Sequence, residues 1–465
     1  MKHFPLLTTR PLPSAPKWTK AIGVGVVALG LAIGTGELIL WPHLVTIHGP
    51  GILWGALLGL TLQAFINFEV ARHTLATGES FFTSSARLFK WFAPLWLVMA
   101  VLLYIWPGWA SALGTILQAL VGFGDPVVWS WATLLFVLAM TFLGKQAYRT
   151  LERSLMIIVP VFFLLLLFVS FNNIKLADIS AGVAGLFNIG WIPANIDKSV
   201  FFSAIVFAGT GGMLNLCVSL WYRDKQAGMA AYSSPIKNPL TSQDQNQEVN
   251  GFAFVAKDQN LARWKQWLSY VRADQILVFW LLGFITLFLL SMNAYAVLVP
   301  RGLVPEGSDV AVMQAAIFGE TWGVIGVKIF LLMAFLMLFS VMWTIISAFT
   351  RIISDILFVN SHTGPLQPLF SRFKNISQSK LYYSLIVLLV LTQAVLVPFN
   401  QPLTYLVLTS VLGGMVMAIY VPILLFLNNR RLAKPLRPNI LSNLVLCVAA
   451  VAYTVLSIVV LAELF

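Results

Sequence analysis

Charge is what this sequence has least of. Only 10% of its 465 residues are Asp, Glu, Lys or Arg, against roughly 25% in a soluble domain. Acidic residues number 17 against 29 basic ones, and histidine (5) and cysteine (2) are rarer still. The two cysteines, Cys217 and Cys447, fall in separate apolar stretches, so no disulfide is expected. No phosphate loop of the GxxxxGK type and no metal-finger spacing occurs, which leaves ATP-driven work without a motor in this chain. Residues 1–20 hold Pro5, Pro11, Pro13 and Pro16 and no apolar core before a cleavage site, so they read as a tail rather than a removable signal peptide.

What fills the chain is apolar: 59% of residues are hydrophobic and the mean hydropathy is +0.86. Stretches of about 20 apolar residues predict an all-α membrane protein with eleven spans. They lie near 21–47, 51–73, 93–119, 126–146, 153–172, 198–222, 273–298, 322–350, 380–399, 402–427 and 439–462. The third contains Pro107 and reads as one kinked helix. With the N-terminus cytoplasmic, every Lys and Arg except Lys175, Lys198, Arg301 and Lys328 falls in or beside a cytoplasmic segment. That bias supports both the orientation and the span count, because one missed helix would invert everything after it. The C-terminus is then outside. The net charge of +12 is spread over six segments and forms no patch, so it records topology and not nucleic-acid binding.

The chain divides into a tail (1–20), five spans (21–172), an outer loop (173–197), five further spans (198–427) with an inner loop at 223–272, and a last span at 439–462. The inner loop carries the polar run Ser242–Gln247 and reads as a flexible connector. An odd number of spans per half sets spans one and six in opposite senses, as in inverted-topology repeats. Near the middle of each of these two spans stands a Gly-Thr-Gly triplet, Gly34-Thr35-Gly36 and Gly209-Thr210-Gly211, the second extended by Gly212. Glycines at that depth predict unwound backbone, which survives in a bilayer only when buried in protein or lining a cavity. Paired interruptions of this kind point to a transporter's substrate site.

Glu37 follows the first triplet at once. A charged side chain at a helix centre costs about 2.5–3.5 kcal/mol, while a helix N-terminus returns only about 0.3–1 kcal/mol to a carboxylate. Capping alone therefore does not account for Glu37, and a cation- or proton-binding role is preferred. Thr35 and the freed carbonyls of Ile33 and Gly34 would add hard ligands. After the second triplet come Met213, Asn215 and Cys217, of which the sulfur ligands favour transition metals; packing is the competing reading, above all for Cys217. Thr210 joins the candidates for substrate contact. Glu69 and Arg72, one turn apart near the end of span two, read as an ion pair or as part of a proton path or gate. Ser340 and Thr344 recur on one side of span eight, where cavity lining competes with bonding to their own helix.

Together these residues resemble the natural resistance-associated macrophage protein (Nramp) family of divalent-metal transporters, within the group sharing the leucine-transporter-type fold. The family's Asp-Pro-Gly-Asn in span one and Ala-x-x-Met-Pro-His in span six correspond to Gly34-Thr35-Gly36-Glu37 and Thr210-Gly211-Gly212-Met213-Leu214-Asn215. The third-position glycine and the methionine are kept. The ligating aspartate falls on Gly34, the ligating asparagine on Glu37 and the histidine on Asn215, so the chain is similar in architecture and divergent in ligand set. The resemblance implies alternating-access transport of manganese- or iron-class ions, coupled to a proton or another ion. No enzyme activity, permanently bound cofactor or obligate protein partner is expected; the partners are the bilayer and a small cationic substrate. Amino-acid and polyamine transporters of the same fold also carry a Gly-x-Gly in span one, which leaves an organic amine or amino acid as the alternative. Short loops suggest a prokaryotic inner membrane.

Overall fold

The computed structural model describes residues 4–18, 22–241, 248–304, 309–399 and 402–464. Ten helices among them are long and apolar enough to cross a membrane: Val24–His48, Pro50–Thr77, Phe92–Val121, Pro126–Leu143, Ala147–Asn173, Asp258–Arg301, Trp322–His362, Gln378–Phe399, Val407–Arg431 and Ile440–Ala462. The expected sixth span is not among them because it is two pieces. Lys198–Val206 and Leu214–Asp224 are separate helices, each too short to cross alone. The third span is likewise divided, into Phe92–Tyr104 and Gly108–Val121 on either side of Pro107, a residue that removes a backbone donor and clashes with the preceding turn.

Two elements run well past their predicted ends. The helix carrying span seven begins at Asp258, inside the expected inner loop. Its first part, Asp258–Ala273, is polar on one side and buries Trp264, Trp267 and Val271. The polar run Ser242–Gln247 of that loop lies outside the described residues. Span eight belongs to a helical stretch from Asp309 to His362 that turns sharply at Gly323, where φ is 62°; only glycine takes that backbone region without steric cost.

The tail is pinned across the end of the bundle that carries the N-terminus. Thr8–Thr9 and Phe252–Ala253 form the one sheet among the described residues, a parallel pair of two-residue strands. Arg10 lies over the rings of Phe252 (4.4 Å) and Tyr232 (4.8 Å), and Trp267 donates to the Pro13 carbonyl at 3.0 Å. The expected cytoplasmic tail is therefore a strap.

At the same end, buried charges join helices that are distant in sequence. Arg351 makes two 2.9 Å bonds to Asp224, Arg223 pairs with Asp355, and Lys225 pairs with Glu152. Asp274, fully buried, accepts from the backbone N–H groups of Gly23 (3.1 Å) and Gly25 (2.7 Å) and from the Tyr222 hydroxyl (2.9 Å). It thereby satisfies the open N-terminus of span one from another helix, the task that a local capping residue normally performs.

Candidate functional site

Span one is a regular α-helix from Val24 to Ala32. It stops at Gly34 (φ −149°, ψ −118°) and resumes as a π-helical turn, Thr35–Leu40, with Glu37 in its first turn. The rest, Trp41–His48, is α-helical again. Span six breaks over residues 207–213, with Gly211 (φ 71°) and Gly212 (φ 53°) in the left-handed region. Both Gly-Thr-Gly triplets thus fall at helix interruptions, although Gly36 sits inside the π-turn and is not unwound.

The two breaks touch. A Cβ on Gly36 would collide with the Phe207 carbonyl, and the Trp41 indole donates to the Ala204 carbonyl at 2.9 Å. Gly36→Ala is accordingly expected to cost about 1–3 kcal/mol, the range for overpacking, read as a lowered thermal midpoint of the purified protein.

Breaking a helix frees backbone groups that must bond elsewhere. On span six two side chains from other helices do this. Gln63 of span two donates to the Val206 carbonyl (2.8 Å) and accepts from the Gly211 N–H (2.7 Å). Tyr420 of span ten donates to the Gly212 carbonyl at 3.0 Å. Neither residue stands out in the sequence, because a lone glutamine or tyrosine in an apolar helix carries no pattern.

Between the breaks lies a cavity of about 10 Å³, enough for roughly one water. Its wall includes Gly36, Trp109, Phe207, Thr210, Leu214 and Val341. The Thr210 hydroxyl is buried with no partner among the described residues. Glu37 is fully buried, and neither carboxylate oxygen has a hydrogen-bond partner among the described residues.

The other expected site residues are distributed differently. Met213 is fully buried at the start of the second half-helix. Asn215 turns to span two, donating to Asn67 at 2.9 Å, with its own Oδ1 left without a partner among the described residues. Cys217 packs against the Ala348 carbonyl, Sγ to O 3.9 Å. Ser340 donates within reach of the Gly30 and Met337 carbonyls, both at 2.7 Å, and Thr344 bonds Ser340 of its own helix. Glu69 and Arg72 form a 2.9 Å ion pair, and Arg72 also reaches the Leu436 carbonyl at 3.3 Å, tying span two to the segment before the last helix. The side chain of Thr35 lies outside the described residues. Among the described residues no group of three or more His, Cys, Asp or Glu side chains is placed to hold a metal ion. A metal bound here would have Glu37 as its charged ligand and neutral oxygens or the Met213 sulfur for the rest.

No family model matches this chain, and no curated protein matches it in sequence. Its structure does have counterparts. A variant of the Eremococcus coleocola manganese transporter superposes with a TM-score of 0.68 at 12% identity, over 98% of this chain and 90% of that one. The fold is the leucine-transporter type. MhsT in complex with L-phenylalanine matches with a TM-score of 0.59 at 16% identity, covering 98% of this chain and all of that one. Mhp1, a nucleobase-cation-symport-1 family transporter with bromovinylhydantoin bound, matches with a TM-score of 0.55 at 12% identity, over 98% and 95% of the two chains. Within the leucine-transporter-type fold, the chain is a multi-pass membrane protein whose two interrupted helices meet at mid-length.

Proposed function

We propose that this protein is a secondary active transporter that carries a small cation across a membrane by alternating access, with Glu37 as its charge-binding residue. The observation that carries the reading is the wholly buried carboxylate of Glu37 at the break in span one, without a hydrogen-bond partner among the described residues. A carboxylate in that setting is costly unless a positive charge joins it; among the described residues Glu37 has no ion-pair or hydrogen-bond partner, which favours a solute or a proton as that charge. Spans one, two, six and seven would rock against the others. The placement of Lys and Arg supports an N-terminus in the cytoplasm and a C-terminus outside, and the short loops support a prokaryotic inner membrane.

A divalent ion of the manganese or iron class is the first candidate for the cargo. It is supported by the resemblance of the two broken segments to Nramp proteins, by Met213 beside the break, and by a manganese transporter among the structural neighbours. Proton or other ion coupling belongs to this reading. A second cargo class is an organic ammonium: Trp109 and Phe207 line the cavity between the breaks beside the Thr210 hydroxyl, such rings attract organic cations, and the cavity, with room for about one water, would have to widen to admit one.

Thermal stabilisation of the purified protein by a panel of divalent metals against a panel of amines and amino acids separates the two. A response to manganese or iron at concentrations where calcium and magnesium do nothing supports the metal. Response to amines alone supports the ammonium, and silence from both panels sinks the transporter reading at this site. If the metal binds, Met213→Ala is expected to narrow the preference for manganese over magnesium at least tenfold, about 1.4 kcal/mol, because the soft ligand is gone. An unchanged preference would leave Met213 as packing.

A further inference from the structure

At the end of the bundle that carries the N-terminus, a cavity of about 810 Å³ opens beneath the strap. Its wall includes His73, Glu79, Ser84, Arg87, Lys90 and Arg431. His73, at the end of span two, is 3% exposed and bonds through both ring nitrogens.

The hydrogen bonds around His73 over-determine its protons. The Asn428 amide donates to the Glu69 carbonyl (2.9 Å) and to Glu69 Oε2 (3.0 Å), both acceptors, which fixes its orientation. Asn428 Oδ1 therefore faces His73 Nδ1 at 3.0 Å, and Nδ1 carries the hydrogen. On the other side, Nε2 lies 2.8 Å from Ser84 Oγ, which is itself 3.1 Å from Glu79 Oε2. Ser84 has one hydroxyl proton, so it cannot donate both to a bare Nε2 and to the carboxylate. All of these contacts are satisfied together only when Nε2 also carries a proton and donates to Ser84.

We infer that His73 is a proton-binding site, reached from that end through the cavity and read out through Ser84 by Glu79. When Nε2 takes a proton, Ser84 turns its hydroxyl to Glu79. When the proton leaves, Ser84 turns back to the bare nitrogen and Glu79 loses one donor. Glu79 also accepts from Arg87 (2.6 and 2.9 Å) and from the Gly251 N–H (3.2 Å), and Arg87 donates to the Pro5 carbonyl of the strap at 2.6 Å. Protonation is thus wired to one of the contacts that hold the strap.

The charges around the ring leave room for the imidazolium. Glu79 is paired with Arg87 from the helix after span two, and Glu69 with Arg72 on the same helix as His73. Lys90 and Arg431 stand on the exposed rim, where solvent screens them. A second consequence rests on the transport reading: acid at that end would favour the strapped form and so couple solute movement to the proton gradient.

The test is a pH titration of histidine-¹⁵N-labelled full-length protein in nanodiscs, with the His73 signal assigned by its loss in His73→Gln. Above the transition, Nδ1 is expected to be the protonated nitrogen and Nε2 bare. As the pH falls, Nε2 should move to the protonated position in a single transition. Ser84→Ala removes the acceptor for the charged form and should shift the transition to lower pH; this milder change serves as the assignment if His73→Gln does not fold. A His73 signal that never changes, a neutral form protonated on Nε2, or a transition indifferent to Ser84→Ala would overturn the proposal. No solute or flux enters the titration, so failure of the transport reading would leave its result intact.

Discussion

Glu37→Gln is expected to reduce cation-dependent uptake into proteoliposomes by two to three orders of magnitude while leaving the protein folded. The size follows from electrostatics. Two unit charges about 4 Å apart at an effective dielectric constant of 20 attract by about 4 kcal/mol, and glutamine removes that attraction without changing side-chain volume. Because neither carboxylate oxygen has a hydrogen-bond partner among the described residues, the substitution breaks no hydrogen bond among them. The thermal midpoint without solute should therefore move little, and the stabilisation conferred by the cation should vanish with the uptake. Full uptake by the glutamine variant would remove Glu37 from the binding site and, with it, the observation on which the cationic cargo rests.

The helix breaks were legible in the sequence, and their support was not. Gly34 and the run Gly209 to Gly212 announce weak backbone because nothing else in the alphabet relaxes a helix as cheaply, and the chain does leave α-helical geometry at both places. Gln63, Tyr420 and Asp274, which satisfy the exposed backbone ends, act on residues far away in sequence, so no local pattern marks them. Asp274 in particular stands at the predicted edge of span seven, where a carboxylate looks solvated; the helix instead continues outward for sixteen residues, Asp258–Ala273, and buries it. Asn215 shows the same gap from the other direction. Its place in the sequence suggested a ligand next to Met213; the structure adds what no local pattern shows, that its amide N–H bonds Asn67 on span two while Oδ1 has no partner among the described residues. Counting apolar residues also hides the double nature of span six, since a broken span and a continuous one have the same mean hydropathy.

Asp355→Asn is expected to release the end of the bundle that the strap covers. Asp355 is fully buried; one oxygen accepts from Arg223 at 2.5 Å and from Gln378 at 3.3 Å, the other from Ser80 at 2.6 Å. It joins the second half of span six to span eight and to the start of the helix after span two. Removing one partner of a buried ion pair costs about 3–5 kcal/mol, because the other charge is left without compensation. Arg223, 8% exposed, would face that loss, while Arg351 would lose a 3.6 Å contact and keep its pair with Asp224. A conformation that admits water at this end relieves it, so the loss is expected to shift the population toward that conformation and not only to lower the melting point; about 5.5 kcal/mol would carry a two-state equilibrium from 1:99 to 99:1. Cys217 reports the change. Its sulfur is buried between spans six and eight, against the Ala348 carbonyl, so in a background where the exposed Cys447 is serine a maleimide should react slowly with the parent protein and at least tenfold faster with Asp355→Asn. Earlier melting with an unreactive Cys217 would mean that the ion pairs brace the fold and do not gate it.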